Sequence, residues 1–253
     1  MKLNSYSFGE ETGTPLVIVH GLFGSARNWH SLARNLARER WVVSVDLRNH
    51  GQSGWSESNT YPDLASDLGE TIDGLGGRAT VLGHSMGGKA AMMLAATAPE
   101  KIDRLIIADI APVTYAHDQT DNIEIMKALP LDEITRRSEA QIWLETKTED
   151  PALAAFFSQG LELQDGKAHW LLNHDALATH MADIVGFPEV DFHFDKPTLA
   201  IRGGASDYVD EKGQEALKQR FSQLTIETIP QAGHWLHAEK PKEFLSIVKE
   251  FIE

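Results

Sequence analysis

The chain has 253 residues with no cysteine, and 37 acidic against 23 basic side chains give it a formal net charge of −14. The missing cysteine excludes disulfides, thiolate nucleophiles and thiolate metal sites, and the acidic balance argues against a nucleic-acid partner, which needs a basic face. A chain of this size buries roughly 75% of its unfolded surface without covalent staples, and with no membrane-length apolar run and no secretory-type start the expectation is a cytoplasmic protein that does not engage a membrane.

In chain order, Leu16–His20 is a short apolar run without alternation, as in a strand buried on both faces of a parallel sheet. It runs into His20-Gly21-Leu22-Phe23-Gly24-Ser25, where glycines let backbone approach a ligand. An amphipathic helix through Trp29, Leu32, Leu36 and Ala37 follows, then a second buried strand, Trp41–Asp46, and the loop Leu47-Arg48-Asn49-His50-Gly51. Arg48 is expected to tie loops together, and His50 to be a loop histidine satisfied by backbone. Tyr61–Leu75 carries a helical stripe of Leu64, Leu68, Ile72 and Leu75. Ala79–Leu82 is a strand, Lys89–Ala96 a small-residue helix stopped at Ala98-Pro99, and Arg104–Asp109 another strand. Strands alternating with helices at this spacing predict a mostly parallel central sheet covered by helices on both faces.

The alternation breaks after Asp109. Residues 112–195 read as an inserted, mainly helical cap over the strand ends, with a small hairpin at Asp165-Gly166. The core therefore comprises residues 1–111 and 196–253. It resumes with the strand Lys196–Gly204, the loop Ala205–Val209, a last strand Leu224–Ile229, the loop Gln231–His237, and a closing helix through Phe244, Ile247, Val248 and Phe251.

The most informative stretch is Gly83-His84-Ser85-Met86-Gly87. A strand enters it and a helix leaves it, which is the context a nucleophile elbow requires. The turn is so tight that side chains at Gly83 and Gly87 would meet the neighbouring strand and helix. It pushes Ser85 into a sparsely allowed conformation, with the free N–H groups of the following helix aimed at the same place. The same letters also fit a phosphate loop through Gly83, Gly88 and Lys89, with Asp109 as a metal-holding strand end. There, however, the residue after the lysine supplies a hydroxyl to magnesium, and here it is Ala90.

A serine hydroxyl needs a base. Among 11 histidines, His234 stands out in an Ala-Gly-His loop after the last strand, at the sheet edge that carries Ser85; His237 is the fallback. Leu22 and Met86 are the expected backbone donors to an oxyanion. Two carboxylates can orient the histidine. Asp207 follows the next core strand, the commoner place, but aligning on Val209 puts Ser206 there instead. Asp109, ending the strand after the elbow helix, is the expected acid, with Ser206 as an accessory hydrogen-bond donor and Asp207 as the alternative. Phe23, Trp235, Trp143 and Trp170 are the candidate substrate-binding aromatics, with Phe156 and Phe157 also available in the cap.

These motifs, with Asp46-Leu47-Arg48-Asn49-His50-Gly51, Asp109-Ile110-Ala111-Pro112-Val113 and Ala232-Gly233-His234-Trp235, resemble the α/β-hydrolase superfamily. Within it they resemble the small YbfF-type bacterial esterases and their mitochondrial abhydrolase relatives. The resemblance spans both core segments and is weakest in the cap. It implies esterase activity, with acyl-CoA thioesters among the substrates, an acid at the position of Asp109 and a serine at that of Ser206. The expected activity is hydrolysis of a small-molecule carboxylic ester or thioester through an acyl-enzyme on Ser85, with no metal or organic cofactor. Carbon–carbon bond hydrolysis and lactone opening would use the same triad, and a non-catalytic binding protein would be expected to have lost part of it. For a coenzyme A substrate, Arg136, Arg137 and Lys147 are the cap cations available; the alternative for them is a solvated helix face.

Overall fold

The computed structural model describes residues 1–253. Its strands are β1 (Ser5–Phe8), β2 (Leu16–Val19), β3 (Val42–Val45), β4 (Ala79–His84), β5 (Ile102–Ala108), β6 (Leu161–Gln164), β7 (Lys167–Trp170), β8 (Thr198–Gly203) and β9 (Leu224–Ile229). Seven of them form one sheet in the order β1-β3-β2-β4-β5-β8-β9, parallel throughout except for β1, which runs antiparallel to β3.

Helices α1 (His30–Leu36), α2 (Tyr61–Gly74) and α3 (Met86–Thr97) alternate with these strands; α9 (Glu211–Arg220), α10 (Leu236–Glu239) and α11 (Pro241–Ile252) follow later. The pleat sends alternate side chains to opposite faces. Leu16 and Ile18 pack with Leu32 and Leu36 of α1 and Phe244 and Val248 of α11. Val17 and Val19 join Leu64 and Leu68 of α2 and Ala91 of α3 on the other face. The unalternating runs read as strands because both faces are covered.

Two elements had no clear signature in the sequence. Strand β1 is Ser-Tyr-Ser-Phe, an exposed-to-half-buried edge with no buried residue. Helix α9 is EKGQEALKQR, almost wholly polar, started by the Asp210 side chain accepting from the Gly213 N–H and held by buried Leu217.

Between β5 and β8 the chain leaves the sheet and comes back to the same edge, where Leu105 pairs with Thr198 and Ala108 with Ile201. The excursion holds α4 (Thr120–Lys127), α5 (Arg137–Thr148), α6 (Pro151–Ser158), the β6–β7 hairpin, α7 (His174–Thr179) and α8 (Met181–Val185). The hairpin turns on Asp165 (φ 51) and Gly166 (φ 76), the paired left-handed conformations of a tight two-residue turn. Buried Met126, Leu144, Phe157 and Leu177 give the excursion its own apolar interior, continuous with one side of the sheet core. No helix in the molecule is long and apolar enough to cross a membrane.

Candidate active site

Strand β4 is the central strand of the sheet and buried along its whole length. It ends in Ser85, whose φ of 52 and ψ of −123 lie outside the regions favoured by L-residues. Such a conformation costs about 1–3 kcal/mol, which the surroundings must hold. They do so by close packing: a Cβ on Gly83 would lie 2.3 Å from the Gly87 carbonyl oxygen, and one on Gly87 would lie 2.4 Å from that of His20. The Ser85 N–H is anchored on the Ala108 carbonyl of β5 at 3.1 Å. The phosphate-loop alternative has no place here, since Gly83 is inside β4 and Gly88 and Lys89 are inside α3.

Asp109 lies directly beyond β5, on the strand adjacent to β4, also at positive φ (49) and fully buried. Its Oδ1 accepts the Gly203 N–H at 2.8 Å, and its Oδ2 accepts both the Ser206 hydroxyl and the His234 Nδ1–H, the latter at 2.8 Å. With Nδ1 donating, Nε2 of His234 is the acceptor for the Ser85 hydroxyl at 3.0 Å. Asp207 is exposed and points no polar atom at the imidazole. The His234 ring also stacks on Tyr208 (centroids 3.7 Å, planes 15° apart), and its carbonyl accepts the His84 Nε2–H at 2.8 Å. His237 stacks on Trp29 with centroids 4.2 Å apart, and burial pushes it down to about 3. It makes no hydrogen bond to the Ser85 hydroxyl.

The loop after β2 leaves one amide unused. The Phe23 N–H donates to His50 Nε2 at 3.3 Å and the Gly24 N–H to the Gly21 carbonyl at 3.1 Å, while the Leu22 N–H has no partner within the protein. Met86 opens α3, where helix geometry gives the first N–H groups no carbonyl. Leu22 and Met86 share the cavity wall with Ser85, and amides left without a carbonyl partner are what a developing oxyanion requires.

His50 does more than fill its loop. Its Nδ1–H goes to the Arg48 carbonyl at 2.9 Å, leaving Nε2 to fix Phe23, a residue itself at φ 61. Burial pushes His50 down to about 3, so the ring stays neutral and can accept. Arg48 is a tie between loop and helix, its Nε on the buried Asp67 carboxylate at 2.7 Å.

Above Ser85 opens a cavity of about 800 Å³ between the sheet and the inserted segment, mainly apolar and including Phe23, Met86, Leu153, Phe156, Phe157 and Trp235 in its wall. Trp143 and Trp170, expected to bind substrate, do not reach it. Trp170 is spent inside the segment, its indole N–H on the Met126 carbonyl at 3.1 Å, and Trp143 lies beneath the Lys147 ammonium. The sequence marks the aromatic residues of the inserted segment as apolar without telling which of them look down onto Ser85. Tyr208 and Lys89 are both in the cavity wall; Tyr208 stood out in no motif, and Lys89 only in the phosphate-loop alternative. Tyr208 is recognisable only once β8 and β9 are paired. Arg136 is tied to Glu139 and Arg137 to the Leu161 carbonyl, and neither they nor Lys147 line the cavity. No cluster of histidine and carboxylate groups could hold a metal ion.

Residues 14–241 match the family model described as alpha/beta hydrolase fold. The esterase YbfF of Escherichia coli is 37% identical, covering 100% of this chain and 99% of its own. The sn-1-specific diacylglycerol lipase ABHD11 of Danio rerio is also 37% identical, covering 97% of this chain and 80% of its own. Among solved structures, a marine microorganism esterase superposes with a TM-score of 0.94 at 35% identity over 99% of both chains. Similarity of this extent, over the sheet and the inserted segment alike, makes the chain a member of the α/β-hydrolase fold family and an enzyme of its esterase and lipase kind.

Proposed function

We propose that this enzyme hydrolyses carboxylic esters by an acyl-enzyme mechanism in which Ser85 is the nucleophile. As Ser85 Oγ attacks the carbonyl carbon, His234 Nε2 takes its proton, and Asp109 keeps the imidazole in the tautomer that can accept it. The Leu22 and Met86 amides receive the oxyanion. His234 then returns the proton to the departing alkoxide, and a water activated by the same imidazole releases the acid. The observation that carries this reading is the unbroken hydrogen-bond chain Ser85–His234–Asp109 at the floor of an apolar cavity.

The cavity favours oxygen esters over acyl-CoA thioesters. Its wall includes the carboxylates Asp150 and Glu239 and no arginine, and its one lysine, Lys89, is buried, so coenzyme A phosphates would meet no exposed cation there. The esterase and lipase names of the relatives point the same way.

The test is a chain-length series offered as p-nitrophenyl esters and as acyl-CoA, with Ser85→Ala alongside. The variant is expected to lose at least about 10⁴-fold in kcat, and a fluorophosphonate is expected to label Ser85 of the wild type. Oxygen esters should be cleaved well above matched thioesters. Activity retained in Ser85→Ala, or no labelling, would overturn the mechanism; preferred thioester cleavage would overturn the substrate assignment.

A further inference from the structure

Lys89 is an unusual lining residue for an ester pocket. It sits one turn along α3 from the nucleophile, its N–H on the Ser85 carbonyl at 3.1 Å, and it is 1% exposed. It is the only lysine or arginine in the cavity wall, and no carboxylate lies within ion-pair distance of it. Its ammonium donates to the Val185 carbonyl at 2.9 Å and the Gly186 carbonyl at 2.5 Å, at the end of α8. The remaining neighbours are ring faces: Tyr115 from the loop after β5, 4.6 Å to the centroid, and Tyr61 of α2 at 5.8 Å. His117 is the other titratable group facing it, lowered in part by the lysine's charge. Two carbonyls use two donors, yet an ammonium has three. A neutral amine would satisfy both bonds equally well. The third N–H has no hydrogen-bond acceptor in the protein, the positive charge is answered only by two carbonyls and the Tyr115 and Tyr61 ring faces, and the side chain lies in the wall of a cavity.

We propose that Lys89 is a substrate-binding residue that receives a carboxylate, so that the preferred substrates are esters carrying a carboxylate on a short apolar stem, such as half-esters of dicarboxylic acids. The proposal rests on the esterase reading and narrows its substrate class. The apolar wall takes the methylene stem, and Lys89 with the flanking Tyr115 ring takes the charged end. A carboxylate supplies the counter-charge that the fold leaves out, in surroundings where charge-assisted hydrogen bonds are strong. Burial pushes the free lysine down to about 7. A bound carboxylate restores the charged form, so above neutral pH binding must draw a proton from solution.

Isothermal titration of the Ser85→Ala variant with monomethyl adipate and with dimethyl adipate, in buffers of different ionisation enthalpy, tests this without turnover. The half-ester is expected to bind at least about tenfold tighter than the diester at pH 6. At pH 8 its binding should take up a substantial fraction of a proton, and at pH 6 almost none. Adding Lys89→Met should abolish both the preference and the uptake. Lys89→Arg should keep the preference and lose the uptake, since guanidinium does not titrate there. Equal binding of half-ester and diester to the Ser85→Ala protein, or proton uptake persisting in Lys89→Met, would overturn the assignment. The half-ester and diester comparison decides it even if Lys89→Met does not fold. Loss of fluorophosphonate labelling would sink the esterase mechanism and leave this result untouched, so the two failures are distinguishable.

Discussion

Asp109 reaches the imidazole from a backbone conformation that few carboxylates adopt, at φ 49 and with no exposed surface. Three donors fix its two oxygens, so the carboxylate cannot rotate away from His234. Asp109→Asn should therefore keep the fold but present an amide to Nδ1, stabilising the wrong tautomer, with a fall in kcat of about 10⁴. Ser206→Ala removes one donor and should cost about tenfold, on the scale of a single hydrogen bond to a charged group. Asp207→Asn should change kcat/KM on p-nitrophenyl butyrate by less than about twofold; a large loss there with a benign Asp109→Asn would reverse the roles. Much of this site was legible in the chain because the chemistry is local. Gly83, Ser85 and Gly87 announce a turn that no other residues fit, and His234 sits in a loop set by the last strand. The choice between Asp109 and Asp207 was not local. It depends on the backbone turn at residue 109 and on a peptide N–H brought in from Gly203, which one-dimensional order does not show. Tyr208 stacked on His234 was illegible for the same reason.

At the level of elements, the core strands were readable because burial on both faces leaves uninterrupted apolar runs, whereas edge strand β1 and polar helix α9 draw their stability from pairing and a cap. The inserted segment is the opposite case. Its apolar residues are plain in the sequence, yet they divide between an interior of its own and a face turned toward Ser85, and periodicity does not distinguish the two. The structure makes that division testable. Phe156 on α6 lies in the cavity wall and against Trp235, with ring centroids 5.5 Å apart. Phe156→Ala should raise KM for hexanoyl and longer esters severalfold, about 1 kcal/mol for the part of the acyl chain that the ring no longer shields from water. Trp143→Ala, outside the cavity, should leave the chain-length profile of kcat/KM unchanged. Equal effects from the two would mean that the segment seats substrate differently from the arrangement seen.

Across the whole molecule, several histidines are buried as neutral groups. Burial pushes His50 and His237 down to about 3 and His174 to about 4, and lowers His20 and His84 as well. Unfolded, each would titrate near 6.5. The unfolded chain therefore binds more protons between about 3 and 6.5, so stability from these groups is complete above 6.5 and lost as pH falls through that window. Each contributes a slope of up to about 1.4 kcal/mol per pH unit. Lys89 acts in the same sense higher up: its folded value of about 7 against 10.5 unfolded makes stability climb between those limits. Relief of repulsion on acidification, from a net charge of −14, opposes the histidine trend but is screened by salt at the surface. Melting temperatures at 0.15 M salt should thus rise from pH 4 to 7 and go on rising, more gently, to pH 9, with the upper rise flattened in Lys89→Met. A maximum near pH 5 would contradict this account.

Ser85 and Asp109, the proposed nucleophile and acid, stand directly after neighbouring strands, β4 and β5, whose parallel register pairs His84 with Ala108 immediately before them. The relay is thereby written into a sheet ladder, and the loop between β8 and α9 contributes to it only the Ser206 hydroxyl and the Tyr208 ring. For anyone building variant libraries, this relocates the freedom in the scaffold. The exposed position 207 can be varied while the proposed proton pathway keeps its alignment, an exchange closed to a hydrolase that carries its acid on that loop; positions 204 and 205 are not free in this way, since their amides hold the Ile229 and Ala232 carbonyls ahead of His234.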